Sequence, residues 1–83
     1  LMAQFTELGK LKNLAPAAPE VQTAICKLQQ FITDHFYTCT PEILAGLGEM
    51  YVADERFREN IDKAGGEGTA TFASKAIAVY CGR

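Results

Sequence analysis

Thr40-Pro41-Glu42-Ile43-Leu44-Ala45-Gly46-Leu47-Gly48-Glu49-Met50-Tyr51 is the stretch that decides the fold. A hydroxyl, then a proline, then an acid is the order in which a helix begins. The hydroxyl caps an orphan N–H. Proline takes the first turn, where its missing N–H costs nothing, and the carboxylate meets the positive end of the helix dipole. Behind that start, Ile43, Leu44, Leu47, Met50 and Tyr51 recur at helical spacing and form one apolar stripe. Gly46 and Gly48 each weaken such a helix by about 1 kcal/mol relative to Ala. Two glycines on an apolar helix suggest close approach of a neighbouring backbone or of a ligand.

The same period extends in both directions. Upstream, Pro19-Glu20 repeats the start signal, and Val21, Ile25, Leu28, Ile32 and His35 or Phe36 carry a stripe to about Tyr37. Before it, Leu1, Phe5, Leu8 and Leu11 predict a short first helix, broken by Asn13 through Pro19. Downstream, Asp54 suits the cap of a helix with Phe57, Ile61 and Ala64 on one face, ended by Gly65-Gly66. Gly68-Thr69 opens a last helix carrying Phe72, Ala73, Ala76, Ile77 and Tyr80. No segment alternates with period two. The expectation is an all-α bundle of about five helices forming one domain over residues 1–83.

The chain has 83 residues, 48% of them hydrophobic and 22% charged. That is enough apolar matter for one core and too much for a disordered chain. Ten acids against eight bases leave a net charge of −2, so nucleic acid is not the expected partner of this segment. Apolar runs are too short to span a bilayer. Cys26, Cys39 and Cys81 are odd in number and widely spaced, which fits a reduced, cytoplasmic protein better than a disulfide scaffold. No signal peptide is visible, and the opening on Leu1 reads as a segment of a longer protein.

Catalytic constellations are poorly supported. His35 and Cys39 lie four apart, but the break at Thr40-Pro41 separates them from a common face, and no third group orients them. Cys26, Cys39, Cys81 and His35 lack metal-ligand spacing. Haem on the lone His35, near Phe31 and Phe36, is outweighed by a structural histidine. The acids Glu49, Asp54, Glu55, Glu59 and Asp62 fit helix starts and solvated faces, with Arg58–Asp62 at solvent spacing. Gly65-Gly66-Glu67-Gly68 lacks the Lys-Ser/Thr of a phosphate loop. No enzyme, cofactor or metal is expected. The aromatic set is more informative. Phe31, Phe36, Tyr37, Tyr51, Phe57, Phe72 and Tyr80, with Met50, exceed what so small a domain buries fully, so some of them should wall a groove.

Phe36-Tyr37-Thr38-Cys39-Thr40-Pro41-Glu42-Ile43 together with Gly46-Leu47-Gly48-Glu49-Met50-Tyr51-Val52-Ala53-Asp54-Glu55-Arg56-Phe57 resembles the C-terminal drug-recognition domain of TipA-type regulators in the MerR family, the TipAS domain. The likeness is strong over about half the chain. It implies a globin-like all-α effector domain that binds bulky antibiotics, thiopeptides such as thiostrepton among them, and switches transcription of resistance or stress genes. It implies DNA contact only through an N-terminal domain absent here. It also implies a homodimer for the full-length protein, with this segment monomeric. The runner-up is a helical protein-interaction module without a small ligand.

On that resemblance the ligand is expected against Phe36, Tyr37, Cys39, Ile43, Gly46, Leu47, Met50, Tyr51 and Phe57. Two departures stand out. The family's type member captures the drug with a cysteine directly before the Leu-Gly-Glu-Met-Tyr string, and here that position is Gly46. Ile43-Leu44 replaces a frequent Met-His pair, implying a more apolar cleft. Cys39 matches a second family cysteine. It is expected to be helped by the helix start at Thr40-Pro41, whose dipole favours a thiolate. Cys26 is expected to be buried, and Cys81 to be remote.

Overall fold

The computed structural model describes residues 2–82. Among them lie five helices and no strand: α1 (Met2–Lys10), α2 (Pro19–His35), α3 (Pro41–Ala53), α4 (Glu55–Gly65) and α5 (Thr69–Tyr80). Their starts follow local chemistry. Thr40 Oγ1 accepts the Ile43 N–H at 3.2 Å, with Pro41 in the first turn of α3. Asp54 Oδ1 accepts from Arg56 and Phe57 at 3.0 and 3.3 Å and so starts α4. Pro19 opens α2 without a side-chain cap. Each good cap contributes about 1 kcal/mol.

α5 starts differently. Gly68, in the left-handed region at φ 88°, offers no side chain to cap it. Asp62, one helix earlier, accepts the Ala70 N–H at 2.9 Å instead. Asp62 is therefore no solvated-face acid, as its spacing from Arg58 suggested. It joins two helices. The exposed pairs Lys10–Glu7 and Arg58–Glu55, at 3.4 and 3.9 Å, contribute little by comparison.

α5 touches all four other helices and is the axis of the core. Phe5 and Leu8 from α1, Val21, Ile25, Leu28 and Ile32 from α2, Leu44 and Tyr51 from α3, and Ile61 from α4 surround its Phe72, Ala73, Ala76 and Ile77. Phe5, Leu8, Val21, Ile25, Leu28 and Ile32 bury as the α1 and α2 stripes predict, Leu11 is half-buried, and Leu1 lies outside the described residues. Elsewhere the buried set shifts. Cys26, expected inside, is exposed. His35 and Phe36 are exposed, because α2 ends there and the Phe36 and Tyr37 N–H groups both turn back to Ile32 O. On α3 the buried face is Leu44, Ala45, Gly48 and Tyr51, whereas Ile43 is exposed. Phe57 is also exposed, and Ile61 alone anchors α4.

Glycine settles two helix crossings. A Cβ on Gly48 would stand 3.0 Å from Ile77 Cγ2, so α3 and α5 meet there. A Cβ on Gly9 would lie inside the backbone of Gly65, with the carbonyl carbon at 2.6 Å, so α1 and α4 are in backbone contact. Thr6 Oγ1 donates to Ala64 O at 3.0 Å across the same crossing.

Candidate functional site

α2 and α3 barely touch one another directly, although α5 packs against both. The space left between the C-terminal turn of α2 and the middle of α3 is an apolar cavity of about 240 Å³. Ile32, Phe36, Tyr37, Leu47, Met50, Tyr51 and Phe57 line it. Phe36, Tyr37, Leu47, Met50, Tyr51 and Phe57 were expected at a ligand. Ile32 was read only as core, since its place on the buried stripe of α2 gave no sign that one edge would face a gap.

Three expected residues lie elsewhere. Cys39, Ile43 and Gly46 are not among the cavity walls. Ile43 and Gly46 sit on the outer side of α3, where a Cβ at Gly46 would find nothing within 4 Å. The glycines of α3 thus differ: Gly48 serves a helix contact and Gly46 serves none. Cys39 is buried at 3% exposure. Burial, and next to it the Cys81 thiol, push its pKa up, the opposite of the expected help from the helix start. Its Sγ leans on the Thr40 carbonyl at 3.9 Å, a contact that suits the neutral thiol. Nor is Cys81 remote: its Sγ donates to Pro41 O at 3.2 Å, two residues from Cys39.

The loop that carries Phe36 and Tyr37 is held by a polar chain that sequence reasoning missed. Tyr80 Oη donates to Gln29 Oε1 at 2.7 Å, and Gln29 Nε2 donates to Cys39 O at 2.8 Å. Thr33 Oγ1 accepts the Cys39 N–H at 3.1 Å. The Tyr80 phenol is pushed up, first by burial and then by the neighbouring Cys26 and Cys81 thiols, so it remains a donor. Nothing in the spacing of Gln29, Thr33 and Tyr80 announces this chain, because its members meet only once α2 and α5 pack.

Phe36 at 62% and Tyr37 at 49% exposure form the outer rim, while Tyr51 at 2% is the deepest of the aromatic walls. Tyr51 packs edge-on against Phe5 at 5.2 Å between ring centroids and tilts against Phe57 at 5.9 Å. Such pairs add roughly 0.5–1.5 kcal/mol beyond burial. Tyr51 is therefore core and cavity wall at once. Burial, then Tyr37 and Cys39, push its pKa up to about 12. The consequence for stability has a definite sign. Between the ordinary value of 10 and about 12, the unfolded chain gives up the phenol proton while the folded chain keeps it. Stability should fall as pH rises through that window. Urea unfolding of Tyr51→Phe at pH about 9 and about 11 should show a smaller loss than the native chain; equal losses would assign the alkaline limb to other groups.

Among the described residues no group of His, Cys, Asp or Glu is arranged to hold a metal ion, and no helix is long and apolar enough to cross a membrane. An apolar, aromatic-walled cavity thus lies beside Leu47-Gly48-Glu49-Met50-Tyr51. The model of the TipAS antibiotic-recognition domain matches residues 1–80. The chain belongs to the TipAS family. It is also 37% identical over 86 residues to the HTH-type transcriptional activator mta of Bacillus subtilis (strain 168), which covers 98% of the chain. The chain spans about a third of that relative's length, 33%. No solved structure matches it significantly.

Proposed function

We propose that this TipAS domain is the effector-binding part of a MerR-type transcription activator, and that the cavity between α2 and α3 receives part of a bulky antibiotic such as a thiopeptide. The observation that carries the reading is the cavity itself: about 240 Å³ walled by aromatic, Met and Leu side chains, open past Phe36 and Tyr37. Aromatic walls give large contact area for little lost side-chain entropy. The resemblance to an activator supplies the rest. DNA is bound by another domain of a full-length, dimeric, cytoplasmic regulator, and the ligand biases that regulator between states it already populates.

The cavity is much smaller than a thiopeptide. An apolar cavity of roughly 150 Å³ takes one benzene ring, so about 240 Å³ takes one arm of such a drug. The remainder would lie on the outer rim, against the exposed Phe36 and Tyr37. The same exposed pair suits a docked partner helix, the second reading. Titration of the labelled domain with thiostrepton and a thiopeptide panel separates them. Amide shifts should move at Phe36, Tyr37, Leu47, Met50 and Tyr51. No movement, or movement confined to α5, would overturn the placement.

A further inference from the structure

The Tyr51 hydroxyl makes no hydrogen bond with any described residue, although the side chain is 2% exposed. A buried phenol without a partner is costly, and native structures rarely leave one so. No side-chain oxygen of the described residues is both fully enclosed and unpartnered. The hydroxyl therefore touches open space, and the space that Tyr51 borders is the cavity. The other walls, Ile32, Phe36, Leu47, Met50 and Phe57, have no side-chain hydrogen-bonding group of ordinary strength, and Tyr37 stands at the rim, half-exposed.

We infer that Tyr51 is the specificity-determining donor of this cavity: the group that enters is a flat heteroaromatic unit of about two fused rings, bearing a ring nitrogen or carbonyl acceptor for the Tyr51 hydroxyl. This rests on the reading of the cavity as a ligand site and narrows it to a chemical class. The size follows from volume. Roughly 150 Å³ admits benzene, so about 240 Å³ admits around ten non-hydrogen atoms. The preference for a flat ring follows from the four aromatic walls, Phe36, Tyr37, Tyr51 and Phe57, whose faces and edges a ring can pack against. The acceptor follows from the unpartnered phenol. With its pKa pushed up to about 12 the phenol keeps its proton at every physiological pH and has an O–H to donate to an acceptor. A purely hydrocarbon group would seal the hydroxyl from water and leave it unpaired, the arrangement that buried sites reject.

The test uses quinoline and naphthalene, which have the same outline and differ by one ring nitrogen, against the whole chain and Tyr51→Phe. Quinoline binding should weaken about 3- to 10-fold in Tyr51→Phe, the range for one hydrogen bond. Naphthalene binding should hold or tighten. Equal factors for the two probes would overturn the donor role and leave the cavity a ligand site. Binding of neither probe, in a folded chain, would overturn the cavity itself and this inference with it. Tyr37→Phe should leave the ratio between probes unchanged; a matching loss there would move the donor to the rim. A second measurement needs no variant. Carbon-13 at the ring Cζ of Tyr51 in the native chain should shift with saturating quinoline and not with naphthalene, and no difference would also overturn the donor role.

Discussion

Gly9→Ala should lower the thermal midpoint by roughly 10 °C or more, while the same exchange at Gly46 should raise it by a few degrees. The added methyl at Gly9 would meet the Gly65 backbone, with Gly65 Cα at 2.5 Å and its carbonyl carbon at 2.6 Å. Backbone cannot rotate aside as a side-chain tip does, so α1 and α4 must part. Overpacking of this kind costs about 1–3 kcal/mol and sometimes more. The helical advantage of Ala, about 1 kcal/mol in a helix interior and less near the end of α1, offsets little of it. The separation would also strain the Thr6–Ala64 hydrogen bond and the packing of Phe5, whose carbonyl lies where a Cβ on Gly65 would go. Gly46 is the internal control. It is exposed, helical, and without a neighbour within 4 Å, so Ala there gains propensity at no steric cost. Paired melts decide it: a Gly9→Ala midpoint within about 3 °C of the native value would mean the crossing yields freely.

That contrast marks what the sequence could and could not say. Helix starts at Thr40-Pro41 and Asp54 were legible because a cap is a local event, completed within four residues. The α2 stripe was legible because Val21, Ile25, Leu28 and Ile32 all face one way. Gly46 and Gly48 look alike in sequence, and only the position of α5 separates them. Gly9 carries no signal in the sequence, since its role depends on Gly65, far along the chain. Asp62 reads as a surface acid until α5 arrives with an uncapped N–H.

The candidate site was legible in part. Six of its walls sit in the two family-like segments, and Phe36, Tyr37, Leu47, Met50, Tyr51 and Phe57 do line a common cavity. The depth of each wall was not legible. Tyr51 and Phe57 are both aromatic and six apart, yet one is core and the other exposed, because α3 ends at Ala53 and the turn at Asp54 redirects the chain. This changes which variant is informative. Tyr51→Ala removes a ring packed on Phe5 and should cost about 3–5 kcal/mol, enough to confuse lost binding with lost fold. Tyr51→Phe keeps the ring and removes only the oxygen.

Incubated with thiostrepton, the native chain should gain no adduct at Cys39, and Gly46→Cys should gain one. Capture of a dehydroalanine needs a thiolate that adds to the β-carbon of the alkene, forming a thioether while the α-carbon takes up a proton. Cys39 fails on both counts that control such additions, access and ionisation. It is 3% exposed, and its pKa is raised by burial and by Cys81. Cys81 is bonded to the Pro41 carbonyl. Cys26 is exposed but lies on α2 beside Tyr80, away from the cavity walls. Any slow labelling there is removed by Cys26→Ser. Position 46 meets the requirements. It is on the open side of α3, one residue from Leu47 and one turn from Met50, both cavity walls, and a Cβ there fits without contact. A ligand arm seated against Leu47 and Met50 would hold its outer part beside that thiol, turning a bimolecular addition into one at high effective concentration. Intact mass spectrometry reads the result as presence or absence of one drug mass. An adduct on the native chain that survives Cys26→Ser and disappears in Cys39→Ser would show that the α2–α3 loop opens on binding. A Gly46→Cys chain that binds thiostrepton yet stays unmodified would place the drug away from the outer face of α3.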